Sequence, residues 1–465
     1  MSSSIISIFP LFSQFHEAQP IILKIPPASS EILINILRGL LGLIFCVALC
    51  YVFSEKRRQI SWTLIAKAIF FQFVVAFLVL KIPLVHKAFE LISLVFVKVL
   101  NFASEGSSFL FRSFSTGTTE EPLLNFAFVI LPVIIFFSAL SSVLFYLGII
   151  QKIVFVFAWL MRKTLKISGA ESLAAAANIF LGQTEAPLLI KPYIFGMTRS
   201  ELMCLMTGGM ATIAGSVFAA YVGYLGGDDI STQLFFANHL LTASVMSAPA
   251  AVAASKILVP ETENFNQSLE VKREKIGANF LDALSNGTSD GIRLAINVAA
   301  MLLVFIAFVA MINFFLEKLG SLTGINSWIQ RLSEARYNNL SMDSLLGILG
   351  APISWILGVP TEDIFPVGQL LGQKTVLNEF YAYSKLGEMI HSGESVFTHK
   401  KSIIMSTYIL CGFANFASIG IQIGGIGALA PARKAELAAL GFRALLGGTV
   451  ASLFTAVIVG MFYGF

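Results

Sequence analysis

Leu181-Gly182-Gln183-Thr184-Glu185-Ala186-Pro187-Leu188-Leu189-Ile190-Lys191-Pro192 sets an amide, a hydroxyl and a carboxylate between apolar segments that are each too short to cross a membrane. Upstream, Ser168-Gly169-Ala170-Glu171 has the spacing of a capping box, in which a Ser and the Glu three residues on satisfy free backbone amides. It predicts a helix running to about Leu181. Downstream, Pro187 can open a second helix at its first turn, where a missing N–H costs nothing. Each arm has roughly a dozen residues, about 18 Å at about 1.5 Å per residue, against a hydrocarbon core of about 30 Å. Neither arm spans. The expected geometry is a re-entrant hairpin whose polar tip sits at mid-membrane depth, which is tolerated only where it faces protein or a watery cavity.

The whole chain agrees with that setting. Charged residues make up only 12% of the 465 and hydrophobic ones 56%, with a mean hydropathy of +0.81. Soluble globular chains carry about 25% charged residues, so the composition defines an all-α polytopic membrane protein with the lipid bilayer as its solvent. The formal net charge of +4 resides in short basic clusters at helix ends. Such clusters orient spans by the positive-inside rule and argue against nucleic acid as a partner. Cys46, Cys50, Cys204 and Cys411 lie in apolar runs without metal-ligand companions and read as small buried hydrophobes. The chain has no metalloprotease His-Glu-x-x-His, Walker loop or nucleophile elbow, so no motif supports an enzyme or an ATP-driven pump.

In chain order, residues 1–31 read as an extension and Ile32 to Phe53 as the first span. Glu55-Lys56-Arg57-Arg58 follows and puts this end in the cytoplasm. Ile60 to Ile82 returns, Lys87 to about Phe111 reads as an amphipathic interfacial helix, and Phe126 to Ile149 is the third span. A second interfacial helix through Trp159 leads to the hairpin. Leu202 to Leu225 crosses outward to Gly226-Gly227-Asp228-Asp229, and Leu234 to Leu258 crosses back. The polar stretch 261–290, centred on Lys272-Arg273-Glu274-Lys275, is a cytoplasmic linker, and Ala295 to Leu316 is the sixth span.

A second broken region runs from Ser341 to His391, interrupted by Pro352, Pro360 and Pro366 and holding Asn378 and Glu379. Three crossings separate it from the first, so it enters from the opposite face. Ser402 to about Ile426 is the seventh span, interrupted at Asn415 to Gly420 and again at Gly424-Gly425; Leu437 to Tyr463 is the eighth. Both termini are then outside, with Lys400-Lys401 as an awkward outer charge pair. Trp159, Glu171 and Leu181-Gly182-Gln183 recur in order as Trp355, Asp363 and Leu371-Gly372-Gln373. Inverted repeats with broken helices mark secondary transporters. The resulting division is an extension (1–31), scaffold spans (32–149), a first transport repeat (150–260), a linker (261–290), a scaffold span (291–340) and a second transport repeat (341–465).

Three polar clusters carry chemistry: Asn178 with Gln183, Thr184 and Glu185; Asn378 with Glu379; and Asn415 with Ser418. A carboxylate at the bilayer centre is costly unless paired, protonated or functional, so Glu185 and Glu379 are functional-site residues by default, although each could also cap free amides at its tip. Asn415 and Ser418 fit equally a ligand site or interhelical hydrogen bonds. With Lys374 the nearest basic residue, the set suits a neutral, hydroxyl-rich ligand such as a sugar or nucleoside. Met206 to Val217 is rich in glycine and hydroxyls, which fits close helix packing or a cation site at Asn178 and Thr207 or Thr212.

At these residues the chain resembles the concentrative nucleoside transporters. The likeness rests on Gly182-Gln183-Thr184-Glu185-Ala186-Pro187, on Asn378-Glu379-Phe380, and on Asn415-Phe416-Ala417-Ser418-Ile419-Gly420-Ile421-Gln422-Ile423-Gly424-Gly425. It extends from about Ile32 to the C-terminus. The resemblance implies a homotrimer of eight-span protomers with two opposed hairpins and an elevator-like transport part. It implies that Gln183, Thr184 and Glu185 contact the nucleobase beside Val217, and that Glu379, Asn415 and Ser418 hold the ribose with Phe413 lining the pocket. It further implies a sodium ion (Na+) held by the side chains of Asn178 and Thr212 and the carbonyls of Leu181 and Ile213. Some members of that family couple to protons (H+) instead. Two positions depart from the family pattern: Ala417, where many members have Ser, and Thr361, where the family has an aromatic.

The sequence therefore reads as a sodium-driven nucleoside importer of the inner or plasma membrane. The alternatives it leaves are a proton-coupled nucleoside symporter, a dicarboxylate-type carrier and an intramembrane enzyme acting on a lipid-linked sugar.

Overall fold

A computed structural model of the chain describes residues 29–115, 131–227, 229–265, 278–391 and 396–463. Most of the N-terminal extension, residues 126–130 of the third span, Asp228 and the basic centre of the linker lie outside the described residues. Every regular element described is helical.

The helices α1 (Ser29–Val52), α2 (Trp62–Lys81) and α3 (Pro83–Ser115) come first, then α4 (Leu131–Tyr146) and α5 (Ile149–Leu165). These last two meet at a 76° bend. Gly148 makes the corner at φ +75°, which glycine adopts without a Cβ clash. Next come α6 (Gly169–Asn178), the one-turn helices α7 (Ala186–Leu189) and α8 (Lys191–Ile194), α9 (Arg199–Ala211), α10 (Gly215–Gly226) and α11 (Ile230–Leu258). The remainder is α12 (Phe280–Thr323), α13 (Ile325–Leu332), α14 (Met342–Ile356), α15 (Ile364–Val376), α16 (Glu379–His391), α17 (Lys400–Leu410), α18 (Phe416–Leu429) and α19 (Lys434–Phe462).

Two halves share one order: a helix bearing the matched Trp, a hairpin, a helix broken in its middle, and an unbroken helix of 29 residues. In the first half these are α5, α6 to α8, α9/α10 and α11; in the second, α14, α15/α16, α17/α18 and α19. The repeat is thus deeper than its sequence trace. That trace holds at Trp355, on α14, and at Asp363, beside the start of α15, but slips at its third anchor. Gln373 lies inside α15, where its Nε2 donates to Asp343 Oδ1 at 2.8 Å, and the second tip is Leu377-Asn378.

The capping box at Ser168 forms as expected: Glu171 N donates to Ser168 Oγ (3.1 Å) and Ser168 N to Glu171 Oε2 (3.3 Å). The helix it opens ends at Asn178, three residues before the expected stop. The returning arm is two single turns rather than one helix, because Pro192 has no N–H to continue α7.

The outward crossing expected as one span is split at Thr212-Ile213-Ala214. Helical i−4 bonding is replaced there by partners from elsewhere: Gly215 N donates to Phe180 O (3.1 Å), and Phe413 N to Thr212 O (3.3 Å). The second broken helix parts at Cys411 to Asn415, earlier than expected, and α18 runs unbroken through Gly424-Gly425. The two breaks cross at Gly412. A Cβ there would lie 2.8 Å from Met210 O, and the residue takes φ +143°, so only glycine fits the crossing.

Six described spans are long and apolar enough to cross a membrane, the broken α9/α10 pair counted as one, and the bent α4–α5 pair passes as a seventh. An eighth crossing needs α17 and α18 counted together, since 11 and 14 residues are each too few to span. The sixth of them, α12, is 44 residues long and starts at Phe280, so the end of the expected linker is helical. The first two helices lie against the repeats, α1 on α19 and α2 on α11, and α4 packs on α10 as well as along α12. Gly287 and Gly291 allow that approach, as a Cβ at Gly291 would sit 2.8 Å from Ile135 Cα. The awkward lysines are partnered: Lys401 Nζ donates to Asn35 Oδ1 (2.7 Å), and Lys400 sits over the Phe235 ring.

Two ionic clusters fasten one end of the bundle. Glu55, between α1 and α2, accepts both Nε and Nη2 of Arg199 (3.2 and 2.8 Å) and pairs with Arg443 (3.0 Å). The Arg199 hydrogen bond holds its carboxyl below the usual range. Glu171 pairs with Lys256, and both are buried, at 1% and 4% exposure. Lys256 Nζ also donates to Ser200 Oγ (2.9 Å) and Glu261 Oε2 (3.4 Å), joining hairpin 1 to the start of α9 and the end of α11. Removing Glu171 leaves the buried ammonium with only the longer contact to Glu261. Glu171→Ala is expected to lose about 3–5 kcal/mol of stability, and the Glu171→Met/Lys256→Met double variant to recover most of it. Thermal melting in detergent distinguishes the two outcomes.

Candidate functional site

The two hairpin tips converge on the first turns of α18. Gln183, at the first tip, is buried; its Nε2 donates to Ser418 Oγ (3.1 Å), and its Oε1 accepts from Gln422 Nε2 (3.1 Å). Gln422 also donates to Met206 O (3.0 Å). Ser418 and Gln422 are four residues apart and so share one face of α18. Gly209 makes room for this contact, because a Cβ there would sit 2.7 Å from Gln422 Nε2. Glu185 is half-buried and accepts from Gly182 N (3.2 Å), while Thr184 is exposed beside Gly425.

At the second tip, Glu379 is the first residue of α16 and is buried at 4% exposure. Asn415 Nδ2 donates to its Oε2 (2.8 Å) and Tyr221 Oη to its Oε1 (3.4 Å). Asn415 Oδ1 in turn caps α18 by accepting from Ser418 N (2.9 Å). Tyr221 stacks on Tyr383, with ring centres 4.3 Å apart. Val217 stands one turn before Tyr221 on α10, and Phe413, half-buried, lies in the second break. Asn378 serves the fold, capping α16 through Tyr381 N (2.8 Å).

Gln422, Gln183, Ser418, Asn415, Glu379 and Tyr221 thus form one hydrogen-bonded chain from hairpin 1 to α10. Sequence reasoning singled out four of the six and passed over Gln422 and Tyr221. Their spacing offered a signal: each lies four residues after a residue already picked, Ser418 and Val217.

Beside this chain, the side-chain amide of Asn178 is buried, and neither Oδ1 nor Nδ2 has a partner among the described residues. Gly208 faces it, and a Cβ there would be 2.8 Å from Nδ2. Thr212 Oγ1 donates to Gly208 O (3.0 Å), keeping its lone pairs for another ligand. Leu181 and Ile213 lie in the irregular backbone of the tip and of the break. A buried amide oxygen without a partner, a hydroxyl and carbonyls outside helices are the donor types that fit a hard cation.

A polar seam closed by two hairpins and two half-helix pairs, all inside an apolar bundle, defines a membrane carrier rather than an enzyme. Comparison with known proteins specifies the kind. The family description "Na+ dependent nucleoside transporter N-terminus" matches residues 41–114, "Nucleoside recognition" residues 127–228 and "Na+ dependent nucleoside transporter C-terminus" residues 239–460. The chain is 40% identical over 435 residues to solute carrier family 28 member 3 of Eptatretus stoutii, covering 91% of this chain and 60% of that longer protein. It is 37% identical over 432 residues to an uncharacterized transporter of Haemophilus influenzae, covering 92% and 98% of the two. The solved structure of CNTnw in an inward-facing substrate-bound state matches with a TM-score of 0.81 and 36% identity, over 92% of this chain and 98% of that one. The chain belongs to the concentrative nucleoside transporter family.

Gln422 holds Gln183 and the Met206 carbonyl at once; its loss leaves the buried Gln183 Oε1 unpaired, at about 1–3 kcal/mol. Gln422→Leu is expected to raise the half-saturating nucleoside concentration about tenfold or more without lowering protein yield. Radiolabelled nucleoside uptake in whole cells measures this, and an unchanged half-saturation removes Gln422 from the site.

Proposed function

We propose that the chain is a symporter importing nucleosides of the uridine type on a sodium gradient. The observation that carries the reading is the buried seam of six polar side chains beside an orphaned asparagine amide at the first helix break. Glu379 accepts hydrogen bonds from the ribose hydroxyl pair, with Asn415 and Ser418 completing that half and Phe413 against the sugar. Gln183, Thr184 and Glu185 read the base edge, with Val217 as the apolar wall. The cation is held by the Asn178 and Thr212 side chains with the carbonyls of Leu181 and Ile213, at the carbonyl end of α9, where the helix dipole favours positive charge.

This placement gives a physical route for coupling. Leu181 and Gln183 are two residues apart on one irregular turn, so a cation on the Leu181 carbonyl orders the backbone that presents the base-reading side chains. Nucleoside affinity then rises with sodium, and by linkage sodium affinity rises with nucleoside. Alternating access is then a movement of the two transport repeats as one body against the scaffold spans. The exposed apolar side chains of α12, among them Leu303, Phe308, Phe314 and Phe315, suit lipid and the contacts of a homotrimer in the inner or plasma membrane, with both chain termini outside.

Uridine uptake into proteoliposomes under an imposed sodium gradient, compared with a proton gradient of equal size, tests the reading. Uptake is expected with sodium alone, and uptake driven only by protons transfers the coupling to H+. Glu379→Gln removes a charged acceptor worth about 1.5–3 kcal/mol. Uptake is expected to fall about tenfold to a hundredfold while size-exclusion behaviour is unchanged; wild-type uptake by this variant rejects the ribose assignment.

A further inference from the structure

The repeat makes an unexpected demand at the second helix break. In the first half, the carbonyl end of α9 faces an oxygen cage that the proposed reading fills with a cation. The second half has the same construction: α15 ends at a tip, and α17 ends in an unwound segment whose last carbonyls have no helical partner. A half-helix carbonyl end inside an apolar bundle calls for positive charge there too. The group that meets it is the side chain of Lys374, from the last turn of α15. Lys374 is completely buried. Its Nζ donates to Ile409 O (2.8 Å), in the last turn of α17, and to Ser452 Oγ (3.0 Å) on α19. Ser452 Oγ in turn bonds Cys411 O (2.9 Å), in the break itself.

We propose that Lys374 is a tethered counter-cation: its ammonium takes, in the second repeat, the place that the coupling ion takes in the first. The inference rests on the sodium-coupled reading of the first break and adds a role for a residue outside the ligand seam. The two halves then differ in one respect. The first cage takes its charge from solution and can sense a gradient, whereas the second carries its own and stays ordered throughout the cycle. Hairpin 2 is held to α17 permanently by this bond, while the order of hairpin 1 depends on sodium. Lys374 is therefore a positioning residue for hairpin 2, acting through the α17 carbonyl end and the adjoining Glu379 tip.

The test is the sodium dependence of uridine binding to purified protein, measured by calorimetry over a range of sodium concentrations at constant ionic strength. Native protein is expected to give a hyperbolic curve with a Hill coefficient near one. Lys374→Ala opens the oxygen cage to solvent cations. Its curve is expected to become sigmoidal, with a Hill coefficient approaching two and a half-saturating sodium concentration raised at least tenfold. A folded Lys374→Ala protein with a native, hyperbolic curve overturns the proposal, as does one that binds uridine at no sodium concentration. Lys374→Gln keeps a hydrogen-bond donor but no charge, and decides the matter should the alanine variant not fold. A tenfold or greater loss of uridine affinity at saturating sodium supports the charge, and native affinity overturns it. Failure of both variants to fold assigns the ammonium to stability alone and also overturns the proposal. Sodium-independent uridine binding by the native protein rejects the coupled reading itself, an outcome read before either variant is measured.

Discussion

The constraint on which this structure depends is the fate of peptide groups where two helices unwind inside an apolar bundle. Apolar side chains offer no hydrogen bonds, and each unpaired N–H or C=O costs several kcal/mol. The chain resolves this by crossing the two breaks so that each serves the other. Phe413 N bonds Thr212 O, Gly412 lets the backbones meet, Phe180 O takes Gly215 N, and Asn415 caps α18 with its own side chain. Whatever amides and carbonyls remain are free to bind something else.

The ligand seam is a by-product of that arrangement. Asn415 is a helix cap first, and the same side chain turns its Nδ2 toward Glu379. Ser418 donates its backbone N–H to the cap, and its hydroxyl oxygen accepts from Gln183. Because structural and recognition roles are shared by single residues, a displacement of either hairpin is felt at the other tip through no more than three side chains.

Much of this was legible in the sequence, for identifiable reasons. The first hairpin could be read because arm length, capping box and polar tip are all local. Glu379 and Gln183 stood out because charge and amide are rare in apolar runs. The break in the outward crossing was not legible: Thr212 is an ordinary helix residue, and it leaves the helix only because hairpin 1 and Phe413 supply its neighbours with other bonds. The error at Gly420 and Gly424-Gly425 is the converse. A Cβ at Gly420 or Gly424 would meet nothing within 4 Å, so glycine there signals no turn. Gln373 misled for a third reason, since it matched in letters a residue whose place in the fold belongs to the tip several residues further on.

The bond between Gln183 and Ser418 joins residues 235 positions apart, and that between Gln422 and Gln183 spans 239. A ribosome adds about 5–20 residues per second, so the first tip leaves the exit tunnel on the order of ten to fifty seconds before its partners exist. Throughout that interval the Gln183 amide lacks the partners that α18 gives it. The hairpin cannot take its final depth when it is made, and it waits at the membrane surface or against the insertion machinery until α18 arrives. Assembly of this carrier is therefore completed at its C-terminal end, and truncating the last two helices leaves the first hairpin without a place in the bilayer.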